Sequence, residues 1–173
     1  MPRFAADGRD GVYRVTEATL VGPFPGPGQV AALQSRGVTH ILNLASASHD
    51  LDAARDGFAE VLSRPVEDFE QFMGWWMRDT LDHMHRMLTS VPEAKLFVHC
   101  HAGQQRAPTI LWLYLSACGL EPGRAAEWIR TAKPDAQPGH RALVDAGSLD
   151  LALAHGTERF VPLARPAIIA PVS

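Results

Sequence analysis

The segment from Lys95 to Cys118 narrows the possible folds more than any other part of this 173-residue chain. Lys95-Leu96-Phe97-Val98 is an apolar run of strand length, His99 to Gln105 is a short, mostly polar stretch holding Gly103, and Pro108 to Cys118 is apolar nearly all round. A helix without a polar face has to be covered on every side, and a strand without alternation has to lie in a sheet covered on both faces. The segment therefore predicts a buried strand, a tight loop and a central helix, with Pro108 in the first turn, where a missing N–H costs nothing. A sheet layered with helices is the architecture that buries both.

The rest of the chain continues the alternation. Tyr13-Arg14-Val15 and Thr19-Leu20-Val21 read as a short antiparallel pair, followed by a turn dense in Gly and Pro from Gly22 to Gly28. Gln29 to Arg36 reads as a short helix stopped by Gly37, where a left-handed cap is cheapest. Thr39-His40-Ile41-Leu42-Asn43-Leu44 and Glu60-Val61-Leu62-Ser63 read as buried strands, with the helical stretch Leu51 to Phe58 between them. From Glu70 to Leu88 the apolar positions Phe72, Trp76, Met84, Met87 and Leu88 recur mostly at helical spacings and predict one long helix. Pro122 to Ala132 and His140 to Leu153 read as helices, while the tail from His155, with Pro162, Pro166 and Pro171, carries no predicted element. The expected fold is α/β: one domain over residues 1–173, with a core about residues 12–153, a central, largely parallel sheet flanked by helices, and a helical C-terminal half. Ligands in such sheets bind at the carboxyl ends of strands, which is where His99 to Gln105 falls.

Five residues separate Cys100 from Arg106, so seven consecutive residues enclose a tight loop whose backbone N–H groups can converge on one anion. The N-terminus of the following helix adds unsatisfied donors and a partial positive charge, which suits phosphate. Gly103 can adopt positive φ without a side-chain clash. Arg106 can offer two parallel N–H bonds to phosphate oxygens, which lysine could not do with the same geometry. The same field favours the thiolate of Cys100, the nucleophilic form. A thiolate attacking phosphorus gives a phosphocysteine, and a carboxylic acid is then needed, first to protonate the leaving oxygen and later to activate water.

His99, Cys100, Gly103 and Arg106 match one for one the H-C-x-x-G-x-x-R loop of the cysteine-dependent protein tyrosine phosphatases, and from about residue 12 to residue 145 the chain resembles their small dual-specificity branch. The resemblance implies Cys100 as nucleophile, Arg106 as phosphate clamp, and His99, His101, Ala102, Gly103, Gln104 and Gln105 as the phosphate-binding loop, with His99 buried and bracing it. It implies a general acid on a loop ahead of the cysteine, and Asp68 stands 32 positions before Cys100, with Glu67 and Glu70 as fallback candidates. It also implies that Asn43 braces a loop. Two positions depart from the family pattern. Ala107 stands where Ser or Thr usually steadies the sulfur as it leaves, with Thr109 two places on as a supporting hydroxyl; Gly139, in Lys133-Pro134-Asp135-Ala136-Gln137-Pro138-Gly139, stands where Asn is common. The function implied is that of a phosphoprotein phosphatase acting on phosphotyrosine, with phosphoserine and phosphothreonine as further substrates. The alternatives are a phosphoresidue-binding module with little turnover, suggested by Ala107 and Gly139, and a phosphatase of inositol phosphates or phosphoinositides. The last ranks lower, because His101, Gln104 and Gln105 occupy a loop in which such enzymes tend to carry lysines.

Other classes are excluded on composition. The 16 basic and 19 acidic residues leave a net charge of −3 with no run of like charges, so neither nucleic acid nor membrane is an expected partner; the resemblance implies a phosphorylated protein or peptide instead. The stretch from Met1 to Asp7 lacks the apolar core of a signal peptide, and no apolar run reaches the ~20 residues that span a bilayer. Two cysteines cannot build a disulfide framework and suit a reducing, cytoplasmic setting. Cys118 lies at the far end of the predicted helix, roughly 18 Å from Cys100, and reads as a small core residue. His83, His85, His99, His101 and Cys100 are metal-ligand types, yet His83 and His85 lie about 200° apart on a helix, so no metal or other cofactor is expected. Trp75 and Trp76 read as rim and core packing, and Trp112 and Trp128 as core.

Overall fold

The apolar runs assemble into one mixed sheet with helices on both faces. The structure is a computed structural model that describes residues 10–47, 51–161 and 165–173; the stretch from Met1 to Asp7 and Pro162 of the tail lie outside them. The strands are β1 (Tyr13–Arg14), β2 (Thr19–Gly22), β3 (His40–Asn43), β4 (Glu60–Ser63) and β5 (Leu96–His99), in the spatial order β1-β2-β5-β3-β4. Only the β1–β2 pair is antiparallel. Strand β5 is central and buried at every position, with His99 in register between Gly22 of β2 and Asn43 of β3. Three carboxyl ends therefore meet where the Cys100 loop begins.

Alternate residues of these strands feed two cores, as the period of a pleated strand dictates. Leu20, Ile41 and Phe97 pack with Leu33, Val38 and Phe58 on one face. Val21, Leu42, Leu96 and Val98 face the larger core built with the later helices. Among the described residues the helices are α1 (Gln29–Ser35), α2 (Ala53–Asp56), α3 (Gly74–Thr89), α4 (Arg106–Ala117), α5 (Pro122–Ala132) and α6 (Ala146–Arg159). All of α4 is buried except Trp112, which is half-buried, in keeping with its apolar sequence. No helix among the described residues is long and apolar enough to cross a membrane.

Several boundaries differ from those read in the sequence. The long helix starts at Gly74 rather than Glu70, because the Phe72 N–H is spent on Leu143 O at 2.8 Å and Met73 is extended. Helix α2 is a single turn closed by Gly57 at φ +78°. Helix α6 begins after a reciprocal cap between Asp145 and Ser148, so residues 140–144 lie outside it, with a turn at 141–143, and it runs on to Arg159. The tail is also structured in part: Pro166–Ile169 forms a 3-10 turn with Ile168 fully buried, and Arg165 Nη1 donates to Leu88 O at 2.8 Å and to Ala94 O at 2.6 Å. Proline spacing hides such an anchor because its partners are backbone carbonyls remote in sequence. Helix α4 starts at Arg106, two residues before Pro108. Trp112 and Trp128 pack against the core while half-buried rather than within it, and Trp76 is buried where its neighbour Trp75 is exposed.

Candidate active site

Cys100 follows the last residue of β5, and Arg106 is the first residue of α4, so the loop between them is held at both ends by buried elements. Cys100 is only 2% exposed, at the base of that loop. Gly103 has φ +70°, and a Cβ there would stand 2.5 Å from the Gly22 carbonyl carbon and 2.7 Å from Pro23 N. The loop thus lies directly on the Gly22–Pro23 backbone, and the Phe24 N–H ties it down by donating to His101 O at 2.9 Å. Among the described residues, no backbone N–H from His101 to Arg106 is taken by a backbone acceptor. These donors, at the start of a twelve-residue helix, suit an anion.

Asp68 reaches the same place from the loop after β4. A pocket of about 120 Å³ is lined by Asp68, Phe69, Cys100, His101, Ala102, Gln104, Gln105 and Arg106. Arg106 is 4% exposed; its Nη1 donates to Val66 O at 2.8 Å, and its Nε lies 3.0 Å from Asp68 Oδ1. The second contact is an ion pair rather than a hydrogen bond, since the Nε–H does not point along it. Glu67 lies outside the lining and faces Ser46, whose hydroxyl donates to its carboxylate at 3.1 Å. Glu70 is exposed and also outside the pocket.

His99 is fully buried, with Nδ1 3.3 Å from Cys100 O and its ring between Phe97 and Phe24 at centroid distances of 5.7 and 5.3 Å. Asn43 accepts from Ala45 N–H at 2.8 Å and donates to Ala47 O at 3.0 Å, which fixes the turn after β3; the next residue, Leu44, donates its N–H to His99 O at 2.9 Å. The hydroxyl of Thr109 donates to Gln137 O at 3.3 Å and accepts from His140 N–H at 3.4 Å, so it is engaged by the 137–140 turn and not by the cysteine. Gly139 sits in that turn at φ +74°, and a Cβ there would meet the Trp112 ring at 3.4 Å.

Sequence reading missed the segment from Lys133 to His140 as a support of the loop. Gln137 N–H donates to Gln104 O at 2.6 Å, Gln104 Nε2 to Asp135 Oδ2 at 3.1 Å, and Gln105 Nε2 to Gln137 Oε1 at 3.3 Å. Lys133 is buried, pairs with Asp135, and lies over the Tyr13 ring at 5.4 Å. Two prolines and a glycine marked a turn there, but not its partner. Phe69 was also missed, since no periodicity reaches a lone aromatic residue in a loop.

The remaining reactive side chains belong elsewhere. Both cysteines are free, and burial pushes the Cys118 thiol up to about 12. His85 Nδ1 lies 2.9 Å from the Tyr114 hydroxyl and its ring stacks on Phe160, while His83 faces Asp79 and Arg86, so the two histidines serve different partners. A larger cavity of about 190 Å³, lined by Arg14, Val15, Trp128, Thr131, Ala132, Pro171 and Val172, shares no residue with the loop, and neither cysteine lines it.

A family model described as "Swiss Army Knife protein, DSP-PTPase phosphatase domain" matches residues 26–147, which include the loop, Asp68 and the 133–140 support. The chain belongs to this family. Its DSP-PTPase domain is 29% identical over 98 residues to mouse protein tyrosine phosphatase type IVA 2, a match that takes in 57% of this chain and 59% of that protein. Human DUSP28 superposes on the DSP-PTPase domain with a TM-score of 0.65 at 21% identity, covering 86% of this chain and 94% of that one. PTPMT1 in complex with PI(5)P superposes with a TM-score of 0.65 at 15% identity, covering 86% and 96%. The shared fold is the finding in both cases.

Proposed function

We propose that the DSP-PTPase domain hydrolyses phosphotyrosine in phosphoproteins, with phosphoserine and phosphothreonine as secondary substrates, through a phosphocysteine intermediate. The observation that carries this reading is the meeting of Cys100, Arg106 and Asp68 in one pocket, delivered by β5, α4 and the loop after β4. The substrate phosphate sits on the loop N–H groups and the Arg106 guanidinium, with Cys100 Sγ below it. The thiolate attacks phosphorus, the P–O bond to the substrate breaks, and Asp68 donates a proton to the leaving oxygen. Asp68, now a carboxylate, then takes a proton from the water that attacks phosphocysteine, releasing phosphate and the thiolate. His99 and Asn43 hold the loop that does this. Arg106 and the helix start supply the positive charge, so the reaction needs no metal. Two free thiols fit a cytoplasmic setting.

The test is hydrolysis of a phosphotyrosine peptide in the presence of a chelator. Turnover that vanadate inhibits and that Cys100→Ser abolishes is the expected result; Cys100→Ser with full turnover would overturn the mechanism.

One observation favours a slower variant of the same reading. Ala107 has no hydroxyl and that of Thr109 is engaged by the 137–140 turn, so no free hydroxyl in the first turn of α4 is left to donate to the departing sulfur. The phosphocysteine would then persist: the dephosphorylated residue leaves in the first step, and the domain keeps the phosphoryl group on Cys100 until water slowly removes it. Inositol phosphates, suggested by the PI(5)P bound to PTPMT1, rank below a phosphoprotein. Gln104 and Gln105 are neutral and already paired with Asp135 and Gln137, leaving a second phosphate no cation in the loop.

A further inference from the structure

The cavity of about 190 Å³ beside β1 is enclosed by three segments remote in sequence: Arg14 and Val15 at the end of β1, Trp128, Thr131 and Ala132 on α5, and Pro171 and Val172 of the tail. Its walls are tied together without filling the space. The Glu17 N–H donates to Ala170 O at 3.1 Å, the Ser173 N–H donates to Glu17 Oε1 at 2.7 Å, and Ile168 is fully buried. On the other side Lys133, which follows α5, is buried and lies over the Tyr13 ring at 5.4 Å. Tail and α5 are thus both fixed to the β1–β2 hairpin, which holds the gap between them open.

The lining is apolar except at one end. Val15 is buried, Trp128, Ala132 and Val172 are half-buried, and with Pro171 they form the walls. Water is poorly held against such walls, since ordered water needs several polar partners. Arg14 is the one ionised side chain of the lining and is only 23% exposed. Glu17 takes its Nη2 alone, at 3.2 Å, and its Nε is buried with no hydrogen-bond partner. A guanidinium so placed is short of the bonds that burial demands, and a carboxylate offers it two parallel acceptors. Size sets the rest. A cavity of about 150 Å³ suffices for benzene, so this one takes a single ring with a short acidic arm.

We propose that the cavity is a binding site for a small aromatic monocarboxylate, with the ring against Trp128 and Val15 and the carboxylate on Arg14. The site shares no residue with the catalytic pocket and stands independently of the phosphatase reading.

The experiment titrates the intact chain with phenylacetate and follows backbone and indole N–H signals by two-dimensional NMR, the Trp128 indole being assigned through Trp128→Phe. Saturable shifts at Trp128, Thr131 and Val172 are expected, with a Kd below about 1 mM. Phenylacetamide, which has the shape without the charge, and acetate, which has the charge without the ring, should each bind at least about tenfold more weakly. Arg14→Gln should weaken phenylacetate by a similar factor. Because Arg14 also holds Glu17, Ala132→Leu serves as a second variant: it fills the cavity and should abolish binding without lowering Tm. No saturable shift at Trp128, shifts confined to the Cys100 loop, equal affinity for phenylacetate and phenylacetamide, or unchanged phenylacetate binding in Ala132→Leu would each overturn the proposal.

Discussion

Arg106 and Asp68 face each other with Nε 3.0 Å from Oδ1, while the same guanidinium donates from Nη1 to Val66 O at 2.8 Å. One buried arginine therefore touches the loop after β4 twice. Asp68 is itself 55% exposed, so the oxygen of a leaving group can reach its carboxyl.

Replacing Asp68 by Asn keeps the shape of that contact and removes the proton donor. For phenyl phosphate, whose leaving group needs the proton, kcat is expected to fall about 10² to 10⁴-fold. For p-nitrophenyl phosphate, whose leaving group departs readily as an anion, the fall should be much smaller. Glu67→Gln and Glu70→Gln should stay close to wild type on both substrates. Steady-state kinetics on the two esters checks this, and equal losses would remove Asp68 from the acid role.

Ala107 is completely buried at the start of α4, and the hydroxyl of Thr109, two residues on, is bound to Gln137 and His140. Rapid-mixing experiments on the unsubstituted protein should show a burst of phenol followed by a slow steady state. Ala107→Ser should raise the steady-state rate about tenfold, the worth of one hydrogen bond to a developing thiolate, without changing the burst rate. A larger burst at an unchanged steady-state rate would count against this.

Gly103→Ala should damage both fold and site. The added Cβ would sit 2.5 Å from the Gly22 carbonyl carbon, against backbone that cannot rotate away, at a φ of +70° that alanine resists. A loss of about 2 kcal/mol or more is expected in denaturant unfolding, along with loss of vanadate binding. Gly139→Ala meets only the edge of the Trp112 ring at 3.4 Å and should cost less.

Cys118 gives the alkaline limb of stability a sign. Burial pushes its thiol up to about 12 in the folded chain, whereas an unfolded cysteine titrates near ~8.5. The folded state thus keeps a proton that the unfolded state releases, so this contribution is whole below about pH 8.5 and is lost as pH rises toward 12. Tyr114, raised by burial and by Cys118, extends the loss upward from about pH 10. Cys118→Ala should flatten the fall between pH 9 and 11 in urea titrations, and at pH 7 iodoacetamide should label native Cys100 but not Cys118, as read by mass spectrometry.

Much of this molecule was legible because its signals are local. Pro108 to Cys118 has no polar face, so it had to become a covered helix, and β5 had to be central for the same reason. The spacing from Cys100 to Arg106, with Gly103 between, marks a candidate phosphate loop in one short segment. Errors fell where the deciding partner is distant. Phe72 was read as helix, but its N–H goes to Leu143. The last residues looked structureless, but Arg165 binds the carbonyls of Leu88 and Ala94. The Asp145–Ser148 cap was a local signal for the start of α6, and helical periodicity masked it.

The sequence by itself determined the layered α/β class and the candidate nucleophile with its clamp, because hydrophobic periodicity and a short loop ahead of a helix depend on neighbours a few residues away. Only the tertiary structure decided what surrounds them. Asp68 and Phe69 share a pocket with Cys100 because β4 and β5 flank β3, both pair with it in parallel, and they end on the same side. The hydroxyl of Thr109 went to the 137–140 turn because that turn packs on Trp112. Such contacts join segments about thirty or more residues apart, and no local propensity encodes where chains that far apart will meet.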